Sequence, residues 1–181
     1  TSLQSGDKSG SVDIEASIIL PPPDSSTVKS ALLHLSVDAG PPSRIYASLE
    51  GPNSLSIGAV EGVIPADNVS TLQVKATVKD QFGNPVNDGT RVYFTSELGS
   101  MMAGQPTGSS STTGGVAVST LTAPDWGTIR TGSVESEKRG VSKITVTAGD
   151  VDGVPMAVND ICRVIFTGTP KTFFITMNEL G

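Results

Sequence analysis

The amino-acid sequence predicts an all-β protein, and three observations support this. Apolar and polar residues alternate in several short segments, as they do in strands with one buried face. The 20 glycines and 12 prolines recur between these segments and mark turns. No segment carries an apolar stripe of 3.6-residue period long enough for a helix. With only 4% aromatic residues, the core is expected to consist of Val, Ile, Leu and Ala packed between two sheets.

The clearest predicted strand is TLQVKATVK at 71–79, where an apolar residue stands at every second position. Such strict alternation over nine residues is typical of an antiparallel strand with one face in the core. Four more segments have a similar character, and we predict strands at 90–95, 115–122, 142–148 and 161–167.

Charge and composition disfavour several classes of function. The 18 acidic and 12 basic residues give a formal net charge of −6, which repels nucleic acid and anionic lipid. The single cysteine, Cys162, excludes an internal disulfide, and the single histidine, His34, leaves little for metal binding or acid–base catalysis. Cys162 is most simply a core residue. No apolar run reaches 18 residues, so no membrane span is predicted. We expect no enzymatic activity, no cofactor and no metal.

The sequence contains an internal repeat. Residues 10–17 (GSVDIEAS) are similar to 142–149 (SKITVTAG), with Val, Ile and Ala falling on Ile, Val and Ala. Residues 32–51 are similar to 162–181, apart from a one-residue slip in the first strand. In this second pair, the spacing Gly-x-Pro recurs, at Gly40 and Pro42 and again at Gly168 and Pro170. Similar blocks in series are the usual sign of an array.

The repeat divides the chain into a central unit and two partial units. We predict a complete sandwich at 43–168, the last strand pair of a preceding unit at 1–42, and the first strand of a following unit at 169–181. A lone strand pair cannot bury its apolar face, so the flanking strands need a cover. That cover would come from the central domain, from a longer chain, or from another subunit by strand donation. The alternative is that all these strands belong to one larger sandwich.

Four motifs stand in a fixed order along the central part. They are the D-x-x-G-N-P-V corner at 80–86, the V-x-F strand with Val92 and Phe94, the Thr-Thr turn at 112–115 with its Gly115, and the strand ITVTA at 144–148. Together they resemble the bacterial immunoglobulin-like domain of the invasin/intimin type, often called Big-1, over about 66–149. The resemblance implies an immunoglobulin-like β-sandwich and a spacer or adhesive role in surface-exposed bacterial proteins. It implies no particular binding residues.

The polar corner at 80–84, DQFGN, has two readings. Asp and Asn oxygens suit Ca²⁺, but a calcium site needs six or more oxygens, and the D-x-D-x-D-G pattern of a dedicated loop is absent. Turn chemistry explains the same residues: Asp80 caps the turn, Gly83 allows a positive φ, and Pro85 fixes φ before the next strand. We therefore interpret the corner as a bend.

The segment 124–140, PDWGTIRTGSVESEKRG, is longer than the resemblance implies and contains the candidate binding residues Trp126 and Arg130. Trp and Arg are the residues that most often anchor interfaces, and a loop Trp also stacks on sugar rings. The alternative is that Trp126 covers an open end of the sandwich. Residues 101–115 are expected to form a flexible polar loop, and DVDG at 150–153, with Asn159 and Asp160, a solvated hairpin loop.

These observations predict a non-enzymatic structural or adhesive module of an extracellular or bacterial cell-surface protein. One alternative is a filament subunit assembled by strand donation, and another is a carbohydrate-binding module of a secreted enzyme that uses Trp126. The expected partners are neighbouring immunoglobulin-like units, identical subunits, or a host or cell-surface ligand.

Overall fold

The computed structural model describes residues 4, 6–51, 60–102, 104–131, 140–149 and 158–168. The predicted strand at 169–181 and the DVDG segment at 150–153 lie outside the described residues. The described part contains twelve strands: β1 Gly10–Ile14, β2 Ser17–Ile19, β3 Thr27–Lys29, β4 Leu33–Val37, β5 Arg44–Glu50, β6 Glu61–Pro65, β7 Thr71–Lys79, β8 Arg91–Ser96, β9 Thr107–Ser111, β10 Val116–Thr122, β11 Val141–Ala148 and β12 Val158–Thr167. It also contains one short helix, α1 Trp126–Thr131.

Strands β5 to β12 form an immunoglobulin-like β-sandwich, which confirms the predicted fold class. One sheet has three strands in the order β10-β7-β5, and the other has five in the order β6-β12-β11-β8-β9. All neighbours in these two sheets are antiparallel except β6 and β12, which run parallel from the pair Glu61–Arg163 to the pair Thr167–Pro65. The first part of the sandwich therefore contributes one strand to each sheet, β5 to the smaller and β6 to the larger.

The core lies between the two sheets and follows the alternation of the sequence. In β7 every second side chain is buried, as the segment 71–79 predicts. Strands β8, β11 and β12 bury alternate positions in the same way. Most fully buried large side chains are aliphatic, and Phe94 is the aromatic residue among them. The largest are Phe94, Leu49, Ile64, Leu72, Leu121 and Ile144.

Residues 6–37, here called the arm, form two small antiparallel strand pairs before the sandwich. Strand β1 pairs with β4, with Val12 opposite Leu35, and β2 pairs with β3. The corresponding strands of the repeat, β11 and β12, are also an antiparallel pair. Several apolar side chains of the arm are exposed, including Ile18 at 62% and Ile19 at 72%.

Two strands of the sandwich have no signal in the sequence. The prediction of a flexible loop at 101–115 is wrong, because β9 occupies 107–111 and pairs with β8 over five residue pairs. Gly108 fits there because a Cβ atom would lie only 3.1 Å from the backbone oxygen of Met101. Strand β6 likewise owes its conformation to its partner β12 rather than to an alternating pattern.

Candidate functional site

The polar corner is a tightly closed turn at the end of β7. The Asp80 carboxylate is buried, and its Oδ1 accepts hydrogen bonds from the backbone N–H groups of Phe82 at 2.9 Å and Asn84 at 2.8 Å. The Asp80 N–H donates to the Asn84 carbonyl oxygen at 2.9 Å, and Gly83 has φ +89°. Asp80 and Gly83 therefore make the predicted bend, each for the expected reason.

The second oxygen of the same carboxylate faces the linker at 38–43, which joins the arm to the sandwich. Asp80 Oδ2 accepts the backbone N–H of Gly40 at 3.1 Å and the Asn84 side-chain amide at 3.0 Å. Nearby, Asn87 Oδ1 accepts the N–H of Ala39 at 3.3 Å. The corner therefore both turns its own chain and holds the chain that precedes the sandwich.

Asn84 extends this contact to the arm itself. Its side-chain amide donates to the carbonyl oxygen of Asp7 at 2.7 Å while also donating to Asp80. At the other end of the linker, the Ser43 N–H donates to the Lys79 carbonyl oxygen at 2.8 Å. The arm, the linker and the end of β7 thus share one set of hydrogen bonds. No sequence pattern indicates these contacts, because the partners stand 36 to 77 positions apart.

The hydrogen bonds stabilise the charged form of Asp80. Burial by itself would raise the pKa of this carboxyl group, because it removes the charge from water. The donated hydrogen bonds of the Asn84 side chain and of the Gly40, Asn84 and Phe82 N–H groups outweigh burial and hold the pKa below its ordinary value near 3.8. Asp80 is therefore an anionic acceptor at neutral pH.

This arrangement leaves the corner poorly suited to a cation. Both carboxylate oxygens of Asp80 face N–H donors, whereas a hard cation needs free oxygen lone pairs pointing at one centre. In the part of the chain that the structure describes, no group of three or more His, Cys, Asp or Glu side chains is placed to hold a metal ion.

The turn at 112–115 packs directly against the corner. Gly115 accepts the Val78 N–H at 2.8 Å, and a Cβ atom at Gly115 would lie 2.7 Å from Cβ of Pro85. The buried Thr112 hydroxyl donates to the Asn87 carbonyl oxygen at 2.8 Å. The Thr-Thr-Gly-Gly sequence therefore provides the close fit on which the corner rests.

The other candidate residues lie at a different place. Trp126 begins α1, is 42% exposed, and lies over Gly168, where a Cβ atom would be 3.4 Å from the indole ring. Asp125 caps the helix by accepting the Thr128 N–H at 3.0 Å, and Ile129 anchors it in the core. Arg130 is also in α1, but its side chain is outside the described part of the structure. A binding role of Trp126 and Arg130 therefore stays a prediction.

The corner and Trp126 lie at opposite ends of the sandwich. The linker meets the corner where β7 ends, since Arg44 pairs with Lys79. Trp126 and Gly168 lie where β7 begins, because Thr71 pairs with Thr122 and the Ala66 N–H donates to the Thr167 carbonyl oxygen. The nine residues of β7 span about 30 Å at about 3.3 Å each. The chain therefore enters the sandwich at one end and reaches Gly168 at the other.

Asp160 and Cys162 belong to β12 rather than to a hairpin loop or a reactive centre. The loop prediction for 159–160 is wrong: β12 begins at Val158, and Asp160 Oδ2 accepts the Ala47 N–H of β5 at 2.8 Å, which joins the two sheets. Burial and the nearby Asp160 charge raise the pKa of Cys162 to about 12. His34 is exposed on the arm, where it contacts Asp13. Cys162 is thus a neutral core side chain.

Comparisons with known proteins add little to this description. No family model matches the sequence, and no curated protein matches it. Among solved structures, the chain is similar to one described as the D0-D1 domain of Intimin, with 18% sequence identity and a TM-score of 0.39. The match covers 90% of this chain and 66% of that one. The fold assignment rests on the strands and sheets above, since a similarity this low carries no further argument. No helix within the described residues is long and apolar enough to cross a membrane.

Proposed function

We propose that the chain is a non-enzymatic structural module of a bacterial cell-surface or secreted protein, in which it spaces or presents an adhesive region within a series of similar units. The observation that carries the proposal is the placement of the two chain ends of the sandwich. A module that transmits tension needs its attachment points at opposite ends, and Arg44 and Thr167 are placed in this way. The internal repeat and the resemblance of the sequence motifs to Big-1 domains support the same function.

The strand pairing suits a mechanical role. Tension between the linker and Gly168 pulls β5 along its length against β7, with which it shares seven residue pairs. It also pulls β12 along its length against its neighbours β6 and β11. Hydrogen bonds in a sheet lie across the strands, so a pull along the strands loads many of them together. The unit is therefore expected to resist extension better than it resists peeling.

Single-molecule extension of the full chain tests this proposal. With handles at the two termini, we expect one main unfolding step that releases residues 45–167, a contour length of about 400–440 Å at about 3.3–3.6 Å per residue. A control with the second handle on Gln81→Cys pulls β5 and β7 from the same end, so their pairs open one at a time from Arg44–Lys79. In this geometry we expect a clearly lower unfolding force than with handles at the two termini. Equal forces in the two geometries would contradict the mechanical role.

The exposed apolar side chains of the arm favour a second candidate, a filament subunit assembled by strand donation. Val12, Ile18 and Leu33 are each about half exposed or more, and a strand from another chain would cover such residues. Electron microscopy and light scattering of the purified chain distinguish the two candidates: fibres that grow with concentration indicate strand donation, and monomers indicate a unit of an array. Hydrolytic turnover that disappears in Cys162→Ala would contradict the non-enzymatic assignment of both.

A further inference from the structure

Backbone hydrogen bonds and one buried proline ring, that of Pro42, hold the linker between arm and sandwich. Pro41 and Pro42 have no N–H group. The neighbouring residues Ala39, Gly40 and Ser43 do, and all three donate to the end of the sandwich, to Asn87, Asp80 and the Lys79 carbonyl oxygen respectively. The two prolines restrict the backbone between these donors. The sandwich therefore holds the Gly-Pro-Pro linker by its backbone N–H groups and by the buried ring of Pro42.

Asp80, Asn84 and Asn87 contact the arm and the linker, and they differ in how they are held. Asp80 is buried, charged and fixed by the turn, so its Oδ2 is a preorganised acceptor. Asn84 links this carboxylate to the arm through the Asp7 carbonyl oxygen. Asn87 is held from the other side, since its carbonyl oxygen accepts from the buried Thr112 hydroxyl. A plain turn would need the Oδ1 contacts of Asp80 and none of the contacts to the arm and linker.

We propose that Asp80, Asn84 and Asn87 form a linker clamp, which fixes the strand pair that precedes an immunoglobulin-like unit onto that unit. The partner of this surface is the Gly-x-Pro segment that leaves the preceding strand pair. The second half of the inference rests on the proposed function: Gly168 repeats the position of Gly40 and Pro170 that of Pro42, so the chain at Gly168 is the segment that a clamp of the same kind in a following unit receives.

The exposed surface at the far end fits this second half. Gly168 directly follows β12, as Gly40 follows β4 after two residues, and it lies beside the exposed Trp126. The indole covers the start of the outgoing linker at the place where a following unit would approach. Trp126 is therefore placed to contact a following unit.

Amide hydrogen exchange of the full chain tests the clamp without any neighbouring unit. Asp80→Asn keeps the shape and an oxygen for the turn, but it places an NH₂ group against the Gly40 N–H and the Asn84 amide. Asp88→Asn is the matched control: it makes the same change in charge at the same end, where Asp88 accepts only the Gly114 N–H among the described contacts. We expect Gly40 exchange to rise at least tenfold in Asp80→Asn and to stay unchanged in Asp88→Asn, with core amides of β7 protected in both.

Asn87→Ala provides an independent variant, because it removes the Ala39 contact and keeps the backbone carbonyl that receives Thr112. We expect faster Ala39 exchange, and ¹⁵N relaxation in which the arm and the sandwich no longer tumble with one correlation time. If Asp80→Asn does not fold, the results for Asn87→Ala alone test the clamp. Unchanged protection of the linker amides, or lost protection with joint tumbling retained, would overturn the clamp. The force experiment does not depend on these amides, so failure of the clamp and failure of the mechanical role are separate results.

Discussion

Gly115 offers the sharpest test of how the corner is supported. It lies in the turn before β10 with φ +76°, a conformation that costs an L-residue other than glycine about 1–2 kcal/mol. In addition, a Cβ atom at this position would lie 2.7 Å from Cβ of Pro85 and 3.0 Å from the Val78 carbonyl oxygen. The substitution Gly115→Ala therefore forces the turn and the corner apart.

The adjacent Gly114 separates the two contributions. It also has a positive φ, +59°, but a Cβ atom there meets nothing within 4 Å. We expect Gly114→Ala to cost about 1–2 kcal/mol of unfolding free energy, from backbone strain alone. Gly115→Ala adds an overpacking term of about 1–3 kcal/mol, because backbone atoms of Val78 and Pro85 must shift. The expected total for Gly115→Ala is about 2–5 kcal/mol.

Urea unfolding followed by far-ultraviolet circular dichroism measures both variants against the wild type, with the free energy extrapolated to water. The circular dichroism signal reports the sheets, so neither variant removes the probe. If the two substitutions cost the same within about 0.5 kcal/mol, then the close contact of Gly115 with the corner does not determine stability, and the support ascribed to this turn is wrong.

Three further predictions concern other parts of the sandwich. Trp126→Ala should lower the unfolding free energy by about 2–3 kcal/mol, since roughly half of a large side chain is buried. It should also speed hydrogen exchange of the Gly168 amide, which the indole covers, whereas Trp126→Phe should lose less unfolding free energy. The Cys162 thiol should react with a thiol reagent more than about a thousandfold slower in the native protein than in urea, because it becomes accessible only on unfolding; comparable rates would show that β12 opens locally. The pKa values of Asp67, Asp80 and Asp125 are all lowered in the folded chain by donated hydrogen bonds. The stability that these carboxylates contribute is therefore complete above the ordinary carboxyl pKa near 3.8 and is lost as the pH falls below it. Urea midpoints measured on both sides of that pH should fall less steeply in Asp80→Asn than in the wild type, because the variant lacks one of these carboxylates.

The sandwich strands that carry their own alternation could be predicted from the sequence almost residue by residue. In β7 the buried positions are those that the pattern assigns to the core. The sequence also predicts β8, β10, β11 and β12 to within a few residues of their observed bounds. Each of these strands has one buried and one exposed face. Apolar and polar residues therefore alternate along its sequence.

Strands β6 and β9 could not be found in this way. The sequence TGSSS of β9 has no apolar side chain to bury, and it becomes a strand because β8 offers hydrogen bonds along its edge. In β6, EGVIP, two apolar residues and a terminal proline give no clear period, and the parallel pairing with β12 determines the conformation. Tertiary context overrides local preference in both cases.

The corner shows the same division between local and long-range information. Its turn followed from Asp80, Gly83 and Pro85, because the atoms that make the turn are neighbours in the sequence. Its contacts with Gly40 and Asp7 join segments 40 and 77 positions apart, and one sequence carries no pattern for such pairs. The short helix at Trp126 also has no signal in the sequence, since six residues are too few to show a helical period.

The polar character of β9 affects how the protein behaves at high concentration. A bare sheet edge can template further strands from other molecules, which is the first step toward aggregation. The five-stranded sheet ends on one side in the serines of β9 and on the other in β6, which is five residues long and finishes at Pro65. Both borders therefore offer little apolar surface or uninterrupted backbone to an incoming strand. If similar units stand in series, as proposed, such borders would suppress mispairing between neighbours during folding.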